Sequence, residues 1–229
     1  MELSERQQKI FKTIVELYIA TAQPVGSKQI PQTTDLDCSS ATIRNEMMEL
    51  EQMGLIFQPH ISAGRVPTPT GYRYYVDHVM SNNDLSLAKK ELASIVVAAR
   101  EVADVALKMK AAAKVMASIA NNAVFVGQDQ NDTYYTGLTY LFNQPEFSRN
   151  QLIVSMGQLI DNLDKVVSDL QERINQTTVL IGGNDLPDED CSMVVAPLNK
   201  GVVGILGPTR MDYSKSMKLL EEFKQIIDS

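Results

Sequence analysis

The sequence predicts an α+β protein with two domains joined by a long helix. The first 80 residues contain three helical patterns followed by two short extended segments. An apolar heptad pattern then runs without a break, and from residue 121 onward short strands alternate with helices. We therefore expect one domain at residues 1–80, a connecting helix at 81–120 and a second, small α+β domain at 121–229.

Composition and charge limit the classes of function. The net charge of −7, with seven basic and nine acidic residues among the first 80, argues against a protein that coats nucleic acid by bulk attraction. No apolar run is long enough to span a bilayer, and the N-terminus does not resemble a signal peptide. The two cysteines, Cys38 and Cys191, have neither metal-ligand nor disulfide-framework spacing. We expect a cytoplasmic protein with no membrane partner.

The order of elements in the N-terminal domain is that of a winged helix-turn-helix. An amphipathic helix runs from a Ser4 cap to about Thr21, and a turn at 23–27 leads to a short helix that Pro31 distorts. A third helix begins near Ser39 and ends near Gly54. Extended segments at 55–58 and 65–67 then flank a polar loop, the expected wing, before a helix that starts at Thr68-Pro69.

The third helix has the composition of a DNA recognition helix. Ile43, Met47 and Leu50 share one face at steps of four and three, whereas the other face and the first turn carry hydroxyl residues, Arg44 and Asn45. Arginine pairs bidentately with guanine and asparagine with adenine, although either side chain could bind only phosphate. Further phosphate contacts or helix-capping bonds are expected from three neighbouring hydroxyl residues: Ser39, Ser40 and Thr42.

Four other residues are candidates for DNA contact, each with an alternative. Lys28 should lie near the phosphate backbone, or it is simply a solvated lysine. His60 and Arg65 flank the wing, where an arginine can enter the minor groove or can instead stabilise the hairpin. Arg73 could touch phosphate or support the wing.

The heptad pattern predicts a helix that pairs with another helix. It follows steps of three and four through Leu85, Ala88, Leu92, Ile95, Ala99, Val102, Ala106, Met109, Ala113 and Met116. We expect a homodimer whose contact includes the central seam residues, namely Leu92, Ile95, Ala99, Val102, Ala106 and Met109. The alternative is a single long helix packed on its own domain.

The C-terminal region predicts strands at 123–126, 178–181, 193–196 and 202–206, a helical stretch within Gln151–Ile174 and a terminal helix at 212–227. It contains no phosphate loop, nucleotide-binding glycine pattern or catalytic triad, so no enzyme activity, metal or cofactor is expected. The segment 207–210 precedes a helix; it could hold an anion or form a tight strand-to-helix turn.

Motifs at both ends of the chain resemble the heat-inducible transcription repressors of the HrcA family. They are Leu3–Gln7, Pro24–Lys28, Ser39–Asn45, Gln58–His60, Ser62–Thr68 and Gly71–Asp77 in the N-terminal part, and Gln144–Phe147 and Gly204–Tyr213 in the C-terminal part. The resemblance covers about two-thirds of the chain.

The resemblance implies a winged helix, a GAF-like domain and a dimerising insertion, in a protein that represses chaperone genes from an inverted-repeat operator and responds to the GroEL chaperonin. This sequence has too few residues between Ala120 and Gly137 for the insertion and the first half of the GAF-like domain, so its C-terminal domain is a reduced one. Two other functions remain open: a regulator that responds to a small ligand, and an interaction module that no longer binds an operator.

Overall fold

The computed structural model describes residues 2–34, 36, 38–80, 89–100, 102–127, 133–148, 150–183, 185–186 and 188–228. The chain divides into two compact units, residues 1–81 and 82–229. Within the described residues, no helix combines the length and the apolar character that crossing a membrane requires.

The N-terminal unit is the predicted winged helix-turn-helix. Its elements are α1 (Glu5–Thr21), α2 (Ile30–Thr33), α3 (Ser40–Gln52), β1 (Ile56–Phe57), β2 (Val66–Pro67), α4 (Pro69–Tyr74) and a π-helical turn (Tyr75–Val79). Strands β1 and β2 are antiparallel, with Ile56 opposite Pro67, and the loop between them is the wing.

Local capping bonds determine where the helices of this unit begin. The Ser4 side chain accepts the Gln7 backbone N–H, and the Gln7 side chain accepts the Ser4 backbone N–H, which completes a capping box at the start of α1. Thr68 accepts the Gly71 N–H in the same way at the start of α4. Gly71 has to be a glycine because a Cβ there would collide with the Leu55 carbonyl oxygen.

The C-terminal unit is a five-stranded antiparallel sheet with the strand order β4-β3-β7-β6-β5. The elements are α5 (Lys89–Arg100), α6 (Val105–Ala120), β3 (Ala123–Gly127), β4 (Thr133–Thr136), α7 (Leu138–Phe142), a 3-10 turn (Pro145–Ser148), α8 (Asn150–Asp161), α9 (Leu163–Arg173), β5 (Thr178–Ile181), β6 (Cys191–Pro197), β7 (Val202–Pro208) and α10 (Tyr213–Ile227).

Helices cover both faces of this sheet. On β6, the Ser192 hydroxyl lies 3.0 Å from the Tyr213 hydroxyl of α10, whereas Met193 belongs to the hydrophobic core that α7, α8 and α9 complete. Because successive residues of a strand point to opposite faces, these two helical layers lie on opposite sides of the sheet. Helices α5 and α6 pack against each other and against α10.

The predicted continuous helix at 81–120 is wrong. Helix α5 ends at Arg100, and α6 begins after Asp104, whose Oδ1 accepts the Leu107 backbone N–H at 2.9 Å. A capping carboxylate favours the start of a new helix over continuation of the old one. It accepts a backbone N–H that, in a continuous helix, would donate to the carbonyl oxygen four residues earlier. The heptad pattern survives the break because each of two mutually packed helices still needs an apolar stripe.

The break changes the surroundings of the predicted seam. Ile95, Ala99 and Met109 are buried inside the unit itself. Val102 lies in the connection between α5 and α6, and Ala106 is exposed in the first turn of α6. Leu92 is half-buried on α5, and the first two seam residues, Leu85 and Ala88, fall outside the described residues.

The other C-terminal predictions agree with the structure in their main elements. The four predicted strands are β3, β5, β6 and β7, and the terminal helix begins at Tyr213 with Asp212 as its cap. The predicted helical stretch is two helices, α8 and α9, separated by Asn162. Strand β4 and helix α7 were not predicted.

Candidate nucleic-acid interface

The exposed face of α3 is the one that the sequence predicted. Ala41, Arg44, Asn45 and Met48 are exposed and lie at steps of three, one and three, so they form one stripe along the helix. On the other side, Ile43 is fully buried in the core of the unit. Helix α3 therefore presents a guanidinium, a carboxamide and two apolar side chains to solvent.

The hydroxyl residues at the start of α3 divide into two groups. The Ser39 Oγ accepts the Thr42 backbone N–H at 3.1 Å and lies 3.0 Å from the Thr42 Oγ1. These two residues thus form the helix cap, which was one of their two predicted roles. Ser40 is exposed beside them.

One glutamine shapes the loop of the wing. The Gln58 Nε2 donates to the carbonyl oxygens of Ile61 at 3.0 Å and of Ala63 at 2.9 Å. This closes the loop and leaves its tip in solvent, where Ile61 is 99% exposed and His60 is exposed beside it.

Arg65 sits at the base of the wing and is held there. Its Nη2 lies 2.9 Å from the Glu51 Oε2, and the side chain is only 14% exposed. Its backbone exchanges two hydrogen bonds with Val25, at 2.8 and 2.9 Å, which joins the wing to the turn before α2. Of the two predicted roles for Arg65, this geometry supports the stabilisation of the hairpin.

A groove of about 610 Å³ separates α3 from the wing and from the turn before α2. Its charged lining residues are Lys28, Arg44 and Arg65, all of them basic. Met48 and Ile61 also line it. The fold thus gathers cations from three separate segments on one side of α3.

Six of the nine predicted site residues do not line this groove. Four of them belong to the start of α3 or its cap, namely Ser39, Ser40, Thr42 and Asn45. His60 lies at the exposed tip of the wing. Arg73 lies on α4 and is half-buried.

None of the three acidic residues of α3 lines the groove, although Glu51 pairs with Arg65 beside it. Glu46 is buried and accepts from the Arg6 Nε at 2.6 Å, and the Glu49 Oε2 accepts from the Gln7 Nε2 at 2.7 Å. Both donors belong to α1. These carboxylates therefore bond α3 to the rest of the unit.

Glu51 has a double role that the sequence did not reveal. Its Oε1 accepts the Gln58 backbone N–H at 3.0 Å, and its Oε2 pairs with Arg65, so it holds both sides of the wing base. No spacing in the sequence indicates this arrangement, because the three residues meet only after the hairpin has folded.

In the C-terminal unit, segment 207–210 runs from the end of β7 into the turn before α10, as the second of its two predicted alternatives, an anion site or a tight strand-to-helix turn, describes. The Arg210 Nε donates to the Glu146 Oε1 at 2.5 Å, and its Nη2 donates to the Gln144 Oε1 at 2.9 Å. The arginine thus binds a carboxylate of the same chain. Among the described residues, no group of His, Cys, Asp and Glu has an arrangement that could hold a metal ion.

Comparisons with known proteins agree with this geometry. The family model described as "Winged helix-turn-helix transcription repressor, HrcA DNA-binding" matches residues 2–79. A second model, "HrcA protein C terminal domain", matches residues 70–217.

Two relatives illustrate the extent of the similarity. The heat-inducible transcription repressor HrcA of Carboxydothermus hydrogenoformans is 29% identical over 325 positions that cover 96% of this chain and 95% of the relative. The protein of the same name from Pelotomaculum thermopropionicum is 55% identical over 92 residues, or 40% of this chain and 26% of the relative. The first alignment has 325 positions and this chain 229 residues, so at least 96 positions lack a residue of this chain.

One solved structure has the same overall fold. A crystal structure described as that of a hypothetical protein at 2.2 Å resolution superimposes with a TM-score of 0.68 at 18% identity. The match covers 99% of this chain and 98% of the other.

Proposed function

Because the chain belongs to the HrcA family of transcription repressors, we propose that it represses heat-shock chaperone genes by binding an inverted-repeat operator as a homodimer. The observation that carries this proposal is the groove beside α3, whose charged lining residues are all basic. Since double-stranded DNA is a polyanion, a concentrated basic groove supplies attraction that the net charge of the chain does not.

The exposed stripe of α3 supports sequence-specific binding. Arg44 and Asn45 carry the donors that pair with guanine and adenine edges in a major groove, and Ala41 and Met48 offer apolar contact to thymine methyl groups. Lys28, on the opposite wall of the groove, would bind phosphate and set the register. Ser40 and the tip of the wing, with His60, would add backbone or minor-groove contacts.

We propose that two subunits associate through the connection between α5 and α6 rather than through the buried seam. Val97, Val105 and Leu107 lie near this connection and are 60%, 55% and 58% exposed. An apolar surface formed by exposed aliphatic side chains such as these would supply a protein–protein contact. A two-fold pair of recognition helices would then face two half-sites.

The dimer proposal is tested by light scattering of two variants. We expect Leu107→Glu to yield a folded monomer, because it places a charge in the proposed contact. Lys108→Glu changes the charge by −2 at the neighbouring position, against −1 for Leu107→Glu; it is the control and should leave the dimer intact. A dimer that persists in Leu107→Glu would locate the interface elsewhere.

The family resemblance also supports two further proposals. The protein would act in the cytoplasm, where it meets the chromosome, and the GroEL chaperonin would be a partner that promotes its active form. The family is one of transcription repressors, not of enzymes. An interaction module without operator binding is the rival function, and the basic groove argues against it.

Operator binding is tested with an inverted-repeat duplex from a chaperone promoter of the same genome and a scrambled duplex of equal length. We expect the inverted repeat to bind about 10³-fold or more tightly. A salt series would then give the number of phosphate contacts from its slope. Equal and weak binding of both duplexes would overturn the proposal.

A further inference from the structure

The C-terminal unit contains a groove of about 480 Å³ between the α8–α9 pair and the segment that joins β5 to β6. We name it the α9 groove. Its volume falls within the range of small-molecule sites, which are commonly mostly apolar with a few convergent polar groups. It lies wholly within residues 155–191, so it is separate from the DNA-binding surface of the N-terminal unit.

The apolar part of the α9 groove is aliphatic. It consists of Leu159, Val166, Leu170, Leu180 and Leu186, together with the Cys191 side chain, and the uncharged polar residues Ser155, Gln158 and Asn162 also line the groove. Leu159, Leu170, Leu186 and Cys191 are buried, and Val166 and Leu180 are half-buried. Binding of an aliphatic chain to such a surface is favourable because it removes apolar area from water.

The charged lining of the groove is mainly acidic. Asp169, Asp185 and Asp188 line it, against one cation, Arg173, which lies one turn after Asp169 on α9. Two of the carboxylates are held in place: the Asp185 Oδ2 accepts the Ile181 N–H at 3.1 Å, and the Asp188 Oδ1 accepts the Asp190 N–H at 2.9 Å. Negative charge is therefore fixed beside the aliphatic lining.

The thiol of Cys191 is exposed to the same negative field. Its pKa is raised from 9.0 to about 12, chiefly by burial and to a smaller extent by the charges of Asp188 and Asp190. Only the part of this shift that comes from the two aspartates favours a cation, because burial disfavours any charged group.

We propose that the α9 groove binds a small aliphatic amine in its protonated form. The hydrocarbon chain would lie along Leu159, Leu170 and Leu186, and the ammonium group would face Asp185 and Asp188 at the edge, where it remains partly hydrated. Partial hydration matters because full burial would cost an ammonium group more solvation free energy than its attraction to one or two carboxylates would recover.

The first test compares hexylamine, hexanol and hexanoate, three probes with the same chain and different head groups. Binding to the full-length protein without DNA is measured by calorimetry, and the methyl resonances of Leu159, Leu170 and Leu186 locate it. We expect saturable binding in the order amine, alcohol, carboxylate, with the amine bound about tenfold more tightly than the alcohol. Butylamine should bind about fifteenfold more weakly than hexylamine, since each buried methylene contributes about fourfold.

The second test uses two aspartate variants. Asp188→Asn keeps an acceptor for the Asp190 N–H but removes the charge, and it should reduce the preference for the amine over the alcohol to about twofold or less. Asp161→Asn is the matched control, because Asp161 is exposed on α8 and does not line the groove. It should leave the preference unchanged.

Three results would overturn the proposal. Absence of saturable binding by any probe would show that the groove is not a ligand site. Equal binding of hexylamine and hexanol would exclude selection for a cation. An equal loss in Asp161→Asn and Asp188→Asn would show that the amine responds only to the net charge of the chain. Operator binding is measured separately, so none of these results bears on the proposed repressor function.

Discussion

Glu51 and Arg65 form an ion pair of 2.9 Å that joins the last turn of α3 to the base of the wing. The same carboxylate accepts the Gln58 backbone N–H at 3.0 Å on the other side of the hairpin. One side chain of α3 therefore contacts both sides of the wing base. If α3 and the wing both contact the operator, Glu51 helps to determine whether the two elements can contact it at the same time.

We expect Glu51→Gln to reduce specificity more than affinity. Glutamine keeps an acceptor for Gln58 but loses the charge that holds the Arg65 side chain. The two backbone bonds to Val25 remain, so the wing is held less firmly and the Arg65 guanidinium becomes available to any phosphate. Binding to a scrambled duplex should strengthen, and the ratio of operator to scrambled affinity should fall by about tenfold. The measurement is fluorescence anisotropy with both duplexes at one salt concentration.

Glu49→Gln is the matched control for this variant. It removes the same charge from α3, but Glu49 bonds to Gln7 of α1 and does not contact the wing. An equal fall of the ratio in the control would mean that charge alone, and not the wing position, determines specificity.

Arg44 and Lys28 face the same groove but should contribute differently to operator binding. Arg44→Ala should cost about 1–3 kcal/mol and relax the preference at one base position. Lys28→Ala should weaken binding to all sequences about equally and reduce the salt slope by about one. Lys9→Ala, an exposed residue of α1 outside the groove, is the control. A change of base preference in Lys28→Ala would contradict the assignment of Lys28 to a phosphate contact.

Features determined by neighbouring residues could be predicted from the sequence. The capping bonds of Ser4 and Ser39 reach three residues along the chain, and the alternation of buried and exposed positions in α3 follows from helical geometry. The winged helix and the exposed stripe of α3 were therefore predicted correctly. The DNA contacts of the individual residues remain predictions.

Features that depend on distant contacts could not be predicted. The heptad pattern is the same for one long helix and for two helices that pack together, so it did not reveal the break. The bond from the Leu107 N–H to the Asp104 carboxylate is a local signal of the same kind as the caps at Ser4 and Ser39, and the prediction missed it. Strand β4 pairs only with β3 at the edge of the sheet, so it lacks the apolar run of a central strand. The pairing of Glu51 with Arg65 likewise has no local signal.

Arg210 should stabilise the C-terminal unit by joining segment 207–210 to the 3-10 turn. Its side chain is 12% exposed and that of Glu146 21%, so the pair is only partly screened by solvent. Arg210→Met leaves the Glu146 carboxylate without its arginine and should lower the free energy of unfolding by about 2 kcal/mol. Combining it with Glu146→Leu should cost less than the sum of the two single changes.

Urea denaturation followed by circular dichroism measures these free energies. Lys218→Met is the control, because its pairs with Glu221 and Glu222 lie on the surface of one helix; it should cost about 0.5 kcal/mol or less. Additive losses in the double variant would indicate that Arg210 and Glu146 are not energetically coupled.

Cys191 should resist alkylation in the native protein. Burial, with the charges of Asp188 and Asp190, raises its pKa to about 12, so the thiol keeps its proton at pH 8, and only a thiolate reacts with iodoacetamide. Cys38 is half-buried and should react first. Mass spectrometry of peptides after timed labelling distinguishes the two sites.

Unfolding provides the internal control for Cys191. In concentrated urea its pKa returns towards the ordinary value of 9.0, so both cysteines should label at similar rates. The native labelling of Cys191 then measures how often the sheet around β6 opens. If Cys191 labels at the unfolded rate in native buffer, the thiol is neither buried nor held in its protonated form.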